Sequence, residues 1–234
     1  MKVFFTKKKG IFISILAVFL AITVFVFAKT APVMQLKILI SNYYNDKITL
    51  YKQQNATLEN VDVAFIGDSL TDAYDLTKHY PQYVTANRGI GGDTTFGVQN
   101  RLQTSLYDIQ PKAVVLLIGG NNMRTMFENF EEILSDMRDN LPRTKLIVQS
   151  MYPTTGSEHA RNERIPAINE EIKRLADEYG FYYADVHSAL FDTTTGGLAQ
   201  AYAADAVHLN EQGYERVTQV LTPILENLLQ IQPR

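Results

Sequence analysis

The stretch Val61-Asp62-Val63-Ala64-Phe65-Ile66-Gly67-Asp68-Ser69-Leu70-Thr71 decides the fold. Residues 61–66 are a compact, largely apolar run closed by Gly67, which reads as a strand buried on both faces. A polar pair, Asp68-Ser69, then stands where that strand turns into a helix. A second run at 112–118, KAVVLLI, repeats the pattern and is again closed by glycines. Working outward, 145–150 and 181–186 read as two more strands, and a weaker one includes Tyr83 to Ala86. Helical patterns fall between and after them, at 127–140, 165–179 and 211–230. Apolar strands separated by helices predict a parallel sheet covered on both faces. In such open sheets ligands bind beyond the carboxyl ends of the strands, which is where the polar motifs fall.

Composition narrows the function classes. The chain has 234 residues, 46% apolar and 20% charged, as expected of a folded globular protein. Cysteine is absent, so a disulfide framework, a thiol nucleophile and cysteine-ligated metals are excluded. The net charge of −3 is uneven. Lys2, Lys7, Lys8, Lys9 and Lys29 all lie in the first 29 residues, which hold no acid; setting them aside leaves 17 bases against 25 acids, a charge of −8. A body that acidic is a poor partner for phosphate backbones, and nucleic-acid binding is not expected.

The amino terminus reads as an export signal. Lys7, Lys8 and Lys9 precede an uncharged apolar stretch from Gly10 to Ala28, ended by Lys29. That stretch is long enough to cross a hydrocarbon core of about 30 Å as a helix. Basic residues before it place the body outside the cytoplasm. Its length favours an uncleaved single-pass membrane anchor over residues 1–32. Cleavage after Val26-Phe27-Ala28 or Ala28-Lys29-Thr30-Ala31 is the alternative, and would give a secreted protein. Residues 33–58 look helical, with Leu36, Leu39, Ile40, Tyr43 and Tyr44 spaced for one face, and form a stalk or the first helix. The domain proper is expected over 59–234. Asn55-Ala56-Thr57 is a glycosylation sequon, relevant only in a host that glycosylates it.

Four motifs carry chemistry. In Gly67-Asp68-Ser69-Leu70 a serine at a strand-to-helix turn exposes its hydroxyl, and its N–H faces a developing oxyanion; an N-cap is the plain alternative. Thr71 rules out the Gly-x-Ser-x-Gly elbow. In Asp205-x-x-His208 a carboxylate lies close enough in sequence to orient an imidazole, which can activate a serine near neutral pH. A helix cap at Asn210 behind a surface histidine is the alternative there. The loop Asn87-Arg88-Gly89-Ile90-Gly91-Gly92-Asp93-Thr94-Thr95 exposes backbone N–H groups but lacks the last glycine of a dinucleotide fingerprint, so it reads as a ligand loop or a plain turn. Finally, Gly119-Gly120-Asn121-Asn122 closes the second strong strand, where a side-chain amide can donate to an oxyanion without bringing charge, or simply form a turn.

In their order along the chain these blocks resemble the SGNH hydrolases, also called GDSL-type esterases, over roughly residues 60–222. Gly67-Asp68-Ser69-Leu70 matches the first block, Gly92 the second, Gly119-Gly120-Asn121 the third and Asp205-x-x-His208 the fifth. The resemblance implies a flavodoxin-like three-layer α/β/α sandwich with a parallel sheet, here preceded by the amino-terminal transmembrane helix. It implies Ser69 as nucleophile, His208 as base and Asp205 as the group orienting it. The Ser69 and Gly92 N–H groups and the Asn121 side chain would form the oxyanion hole. Asn122 departs from the Asp that many members carry; an Asn-Asn pair also occurs in the branch resembling lysophospholipases and platelet-activating-factor acetylhydrolases.

The expected function is an extracytoplasmic serine esterase cleaving acyl or acetyl esters of a small molecule, lipid or glycan, through an acyl-enzyme and without a cofactor. Two other readings are open: an O-acyltransferase passing acetyl to a cell-envelope glycan with the same triad, and a non-catalytic glycan- or lipid-binding module. No histidine pair has metal-ligand spacing, so no metal is expected. His79 reads as a surface or packing residue, while Asp185, which reads as structural, and His187 are placed near the site's rim. Residues 154–164, with Gly156, His159 and Arg161, are placed over the site and around the acyl pocket. Oligomeric state is not legible.

Overall fold

The computed structural model describes Gln35, Leu39 and residues 41–230. Two compact units divide the chain, Met1–Asp46 and Lys47–Arg234. In the first, residues 41–46 are helical. The apolar segment Gly10–Ala28, read as an anchor or signal peptide, lies outside the described residues. Among those described, no helix is long and apolar enough to cross a membrane.

The second unit opens with helix α1 (residues 47–55) and then alternates. Strand β1 (Val63–Gly67) is followed by short helices α2 (Ser69–Asp72) and α3 (Leu76–His79), then β2 (Thr85–Gly89) and α4 (Thr95–Asn100). Strand β3 (Ala113–Leu117) leads to α5 (Phe130–Asn140), β4 (Lys145–Gln149), α6 (Ile165–Tyr179) and β5 (Tyr182–Ala184). Helix α7 (His187–Leu190), the two-residue strands β6 (Phe191–Asp192) and β7 (Gly197–Leu198), and α8 (Glu211–Leu229) complete it. The main sheet is parallel throughout, in the order β2-β1-β3-β4-β5. This is the doubly wound parallel α/β arrangement, with its topological switch between β1 and β3.

Alternate strand residues face opposite layers, as strand geometry requires. Ala64, Ile66, Val114 and Leu116 pack with Val98, Phe130 and Ile133 on one side. Val63, Phe65, Val115 and Leu117 pack with Tyr74, Tyr80 and Val217 on the other. With both sheet faces covered, a strand needs no polar alternation, which is why 112–118 was so legible.

The strand expected to include Tyr83 to Ala86 instead runs from Thr85 to Gly89. Its residues are polar because they do specific work at the sheet edge. The Asn87 amide donates to the carbonyls of Thr71 (2.8 Å) and Tyr74 (3.1 Å). Arg88 is fully buried under α1. Its guanidinium lies over the Tyr51 ring and donates to the side chains of Gln54 and Asn55. Asn55 also donates to Thr104 O at 2.7 Å, so the sequon asparagine is committed to packing.

Register aligns the strand ends. Gly67 pairs with Gly89 on one side and with Leu117 on the other. The loops that follow β1, β2 and β3 therefore leave the sheet side by side. Gly67 is required there, since a Cβ on it would lie 2.2 Å from Leu117 O.

Candidate active site

Ser69 is the first residue of α2, directly after β1. Asp68 caps that helix, its carboxylate accepting from Leu70 N–H at 3.0 Å. Asp68 thus takes the cap, which leaves the Ser69 hydroxyl to His208. His208 arrives from the far end of the chain. It is held by the bridge between Ala203 and Leu209, and by Asn210, which caps α8 by accepting from Gly213 N–H.

Ser69 Oγ lies 2.9 Å from His208 Nε2, and His208 Nδ1 lies 2.8 Å from Asp205 Oδ2. The other Asp205 oxygen accepts from Val207 N–H (2.8 Å) and His208 N–H (2.7 Å). These backbone donors, with the His208 ring, hold the Asp205 carboxyl down at about 2. It is therefore ionised at neutral pH and fixes Nδ1 as the protonated ring nitrogen, leaving Nε2 to accept from the serine.

The second group of predicted residues gathers around Asp93. The Asn121 amide donates to Asp93 O at 2.9 Å, which draws β3's closing turn onto the glycine loop and leaves its second N–H available. Gly92, beside Asp93, has φ +77°, a left-handed conformation that favours glycine. Among the described residues, the Ser69 and Gly92 N–H groups have no hydrogen-bond acceptor. Asn122 shows why an amide stands at this position. It donates to Thr95 Oγ1 (2.9 Å) and accepts from Thr95 N–H (3.3 Å), a reciprocal pair an ionised aspartate cannot make.

Sequence reasoning missed the residue that holds this region together. Arg101 is buried and pairs with buried Asp93 at 2.8 Å. It also donates to the carbonyls of Arg88 (2.8 Å) and Gly67 (2.9 Å) and to Ser105 Oγ (2.9 Å). One guanidinium thus clamps the ends of β1 and β2 and the loop carrying Gly92. A signal was available, because Arg101 falls on the same helical face as buried Val98, Leu102 and Ser105.

Burial pushes the Asp68 carboxyl up to about 6, with Asp93 adding to the rise and the Leu70 N–H opposing it. Asp68, Leu70, Ile118, Gly120, Met151, Tyr152 and Val207 are among the residues lining a narrow slot of about 30 Å³. Thr154 and Arg161, from the 154–164 segment, and Ile165 beyond it also line this slot. A wider cleft of about 670 Å³ adjoins it, running from Gly120–Thr125 to Ala160–Arg164.

The remaining histidines have other partners, His159 Nδ1 lying 3.4 Å from Asn162 Nδ2. The His79 side chain is largely covered, bonds Thr218 Oγ1 (3.0 Å) and sits 3.2 Å from Glu211. His187 stacks on Phe191, and burial holds its imidazole below its ordinary value. Asp185, just before α7, accepts from Ser188 N–H (3.1 Å) and Oγ (2.6 Å). Among the described residues, no cluster of three or more His, Asp or Glu side chains could hold a metal ion.

Residues 65–216 match the GDSL-like Lipase/Acylhydrolase family. The chain belongs to that family. As a GDSL-like acylhydrolase it is an ester-hydrolysing enzyme. It is 26% identical over 181 residues to the platelet-activating factor acetylhydrolase IB subunit beta homolog of Drosophila melanogaster, covering 72% of this chain and 79% of that one. Among solved structures, a Streptococcus pneumonia protein described as a platelet activating factor superposes with a TM-score of 0.76 at 26% identity, over 84% of this chain and 99% of the other. A GDSL-like lipase from Bacteroides thetaiotaomicron shares the fold, with a TM-score of 0.69 at 20% identity, over 79% and 98% of the two chains.

Proposed function

We propose that this acylhydrolase is a serine esterase with Ser69 as nucleophile, His208 as general base and Asp205 as the carboxylate that orients and stabilises the imidazolium. The observation that carries the reading is the unbroken chain from Asp205 through His208 to Ser69, at 2.8 and 2.9 Å. His208 Nε2 takes the Ser69 proton as Oγ attacks the ester carbonyl. The oxyanion is met by the Ser69 and Gly92 N–H groups and the free Asn121 amide hydrogen, which need no reorganisation because Arg101 and Asp93 fix their loops. His208 then gives the proton to the departing alkoxide. Water, deprotonated by the same nitrogen, releases the acid from the acyl-enzyme.

The acyl group on this reading is short. The slot is narrow, about 30 Å³, in keeping with an acetyl group rather than a long chain. The enzyme works outside the cytoplasm, tethered by residues 1–32, a placement supported by Lys7–Lys9 ahead of the apolar run to Ala28.

The test is turnover of p-nitrophenyl acetate and p-nitrophenyl octanoate by the full chain. The acetate is expected to be the better substrate, and Ser69→Ala to lower kcat by roughly 10⁴-fold or more. Undiminished turnover in Ser69→Ala would remove the nucleophile from this account.

A further inference from the structure

We infer that the cleft beside Asn121 is an anion subsite, in which Arg124 and Arg164 take a phosphate or carboxylate group carried on the ester substrate. The inference deepens the esterase reading and rests on it for the word substrate, though not for the binding itself.

Three arginines line this cleft, Arg124, Arg161 and Arg164, against one carboxylate, Glu163. That excess of positive charge runs against the acidic body of the chain. The three do different work. Arg161 is occupied: its Nε pairs with Glu158 at 2.5 Å and its Nη1 donates to Gly120 O at 3.2 Å, tying the 156–163 segment to the turn that carries Asn121. Arg124 and Arg164 are exposed and form no ion pair among the described residues. They come from two separate segments that line the cleft, one after β3 and the other where α6 begins. That helix starts without a side-chain cap and without an acidic residue in its first turn, so its positive end adds to the charge beside the cleft, with Glu163 the one acid next to it.

Guanidinium groups present a planar fork that matches the oxygens of phosphate and carboxylate groups, and two of them lining one cleft suit an oxyanion better than a neutral sugar or an alkyl chain. Position supplies the link to the reaction. Gly120, Met123 and Arg161 line both this cleft and the slot, and Asn121 lies on the cleft wall. An ester with its carbonyl at Asn121 can therefore extend a charged group between Arg124 and Arg164.

The experiment measures equilibrium binding of sn-glycerol 3-phosphate, glycerate and glycerol to the full chain, and in parallel kcat/KM for the acetyl esters of the same three alcohols. Wild type is expected to prefer a charged ligand and its ester over the neutral one by about tenfold or more, and the preference should shrink as salt rises. The phosphate and carboxylate arms tell which oxyanion is favoured. Arg124→Gln and Arg164→Gln should each reduce that ratio, and the double variant should bring it near unity. Equal binding of all three compounds, or a preference that survives in the double variant, would overturn the subsite. Charged-ligand binding without turnover of any ester would leave the subsite standing and defeat the esterase reading instead.

Discussion

Two aspartate pairs of the same length, 2.8 Å, one with an imidazole and one with a guanidinium, behave in opposite ways in this enzyme. The Asp205–His208 pair is open, its side chains 57% and 43% exposed. The Asp93–Arg101 pair is sealed, at 3% and 1%. Backbone N–H groups hold the open carboxyl down at about 2, whereas burial raises the sealed one despite its guanidinium partner. An exposed pair can exchange protons and meet substrate. A sealed pair can do neither, but it fixes the ends of two strands and the loop bearing Gly92. On the proposed reading, chemistry and positioning are divided between two versions of one interaction.

The sharpest way to break that division is to remove each carboxylate's role separately. Asp205→Asn keeps an oxygen for the two backbone donors but no longer fixes Nδ1–H toward it. It should lower kcat for p-nitrophenyl acetate by roughly 10³- to 10⁴-fold while leaving stability within about 0.5 kcal/mol of wild type. Arg101→Met does the reverse. It strands a buried carboxylate and frees the carbonyls of Gly67 and Arg88, so urea unfolding should show a loss of about 3–5 kcal/mol. If the Asp205 variant loses stability instead of rate, or the Arg101 variant is as stable as wild type, the contrast fails.

Asp68, between the two pairs, gives a smaller and pH-dependent test. Its folded carboxyl titrates at about 6, above the ordinary 3.8. Between those values the native state holds a proton that the unfolded chain has lost, so stability falls as pH rises through that window. The effect is on the order of 3 kcal/mol at pH 7. Asp68→Asn keeps a capping oxygen and removes the ionisation. Its unfolding free energy should therefore depend less on pH between 4 and 6 and exceed that of wild type at pH 7. An unchanged slope would show that Asp68 is not desolvated.

The same contrast explains what the sequence could reveal. Strands β1, β3 and β4 lie under helices on both faces, so burial leaves an apolar run that needs no context to read. Asp205 and His208 lie three residues apart, and their interaction is local. By contrast, Asp93 and Arg101 meet across the length of α4, and apart from the helical face that Arg101 shares with Val98 and Leu102 nothing in their types distinguishes them from surface charges. Strand β2 was misplaced for a related reason: Asn87 and Arg88 are satisfied by α1, α2 and the segment after α2, partners that a local pattern cannot supply. The reciprocal bonds of Asn122 and Thr95 likewise depend on two loops that approach only through strand register.

The central claim is that His208 makes Ser69 a nucleophile. A fluorophosphonate probe, followed by peptide mapping by mass spectrometry, tests it directly on the intact chain. The account predicts one adduct, on Ser69, formed rapidly in wild type and at least 10²-fold more slowly in His208→Ala. Labelling at another residue, or labelling of Ser69 at an unchanged rate without His208, would contradict it.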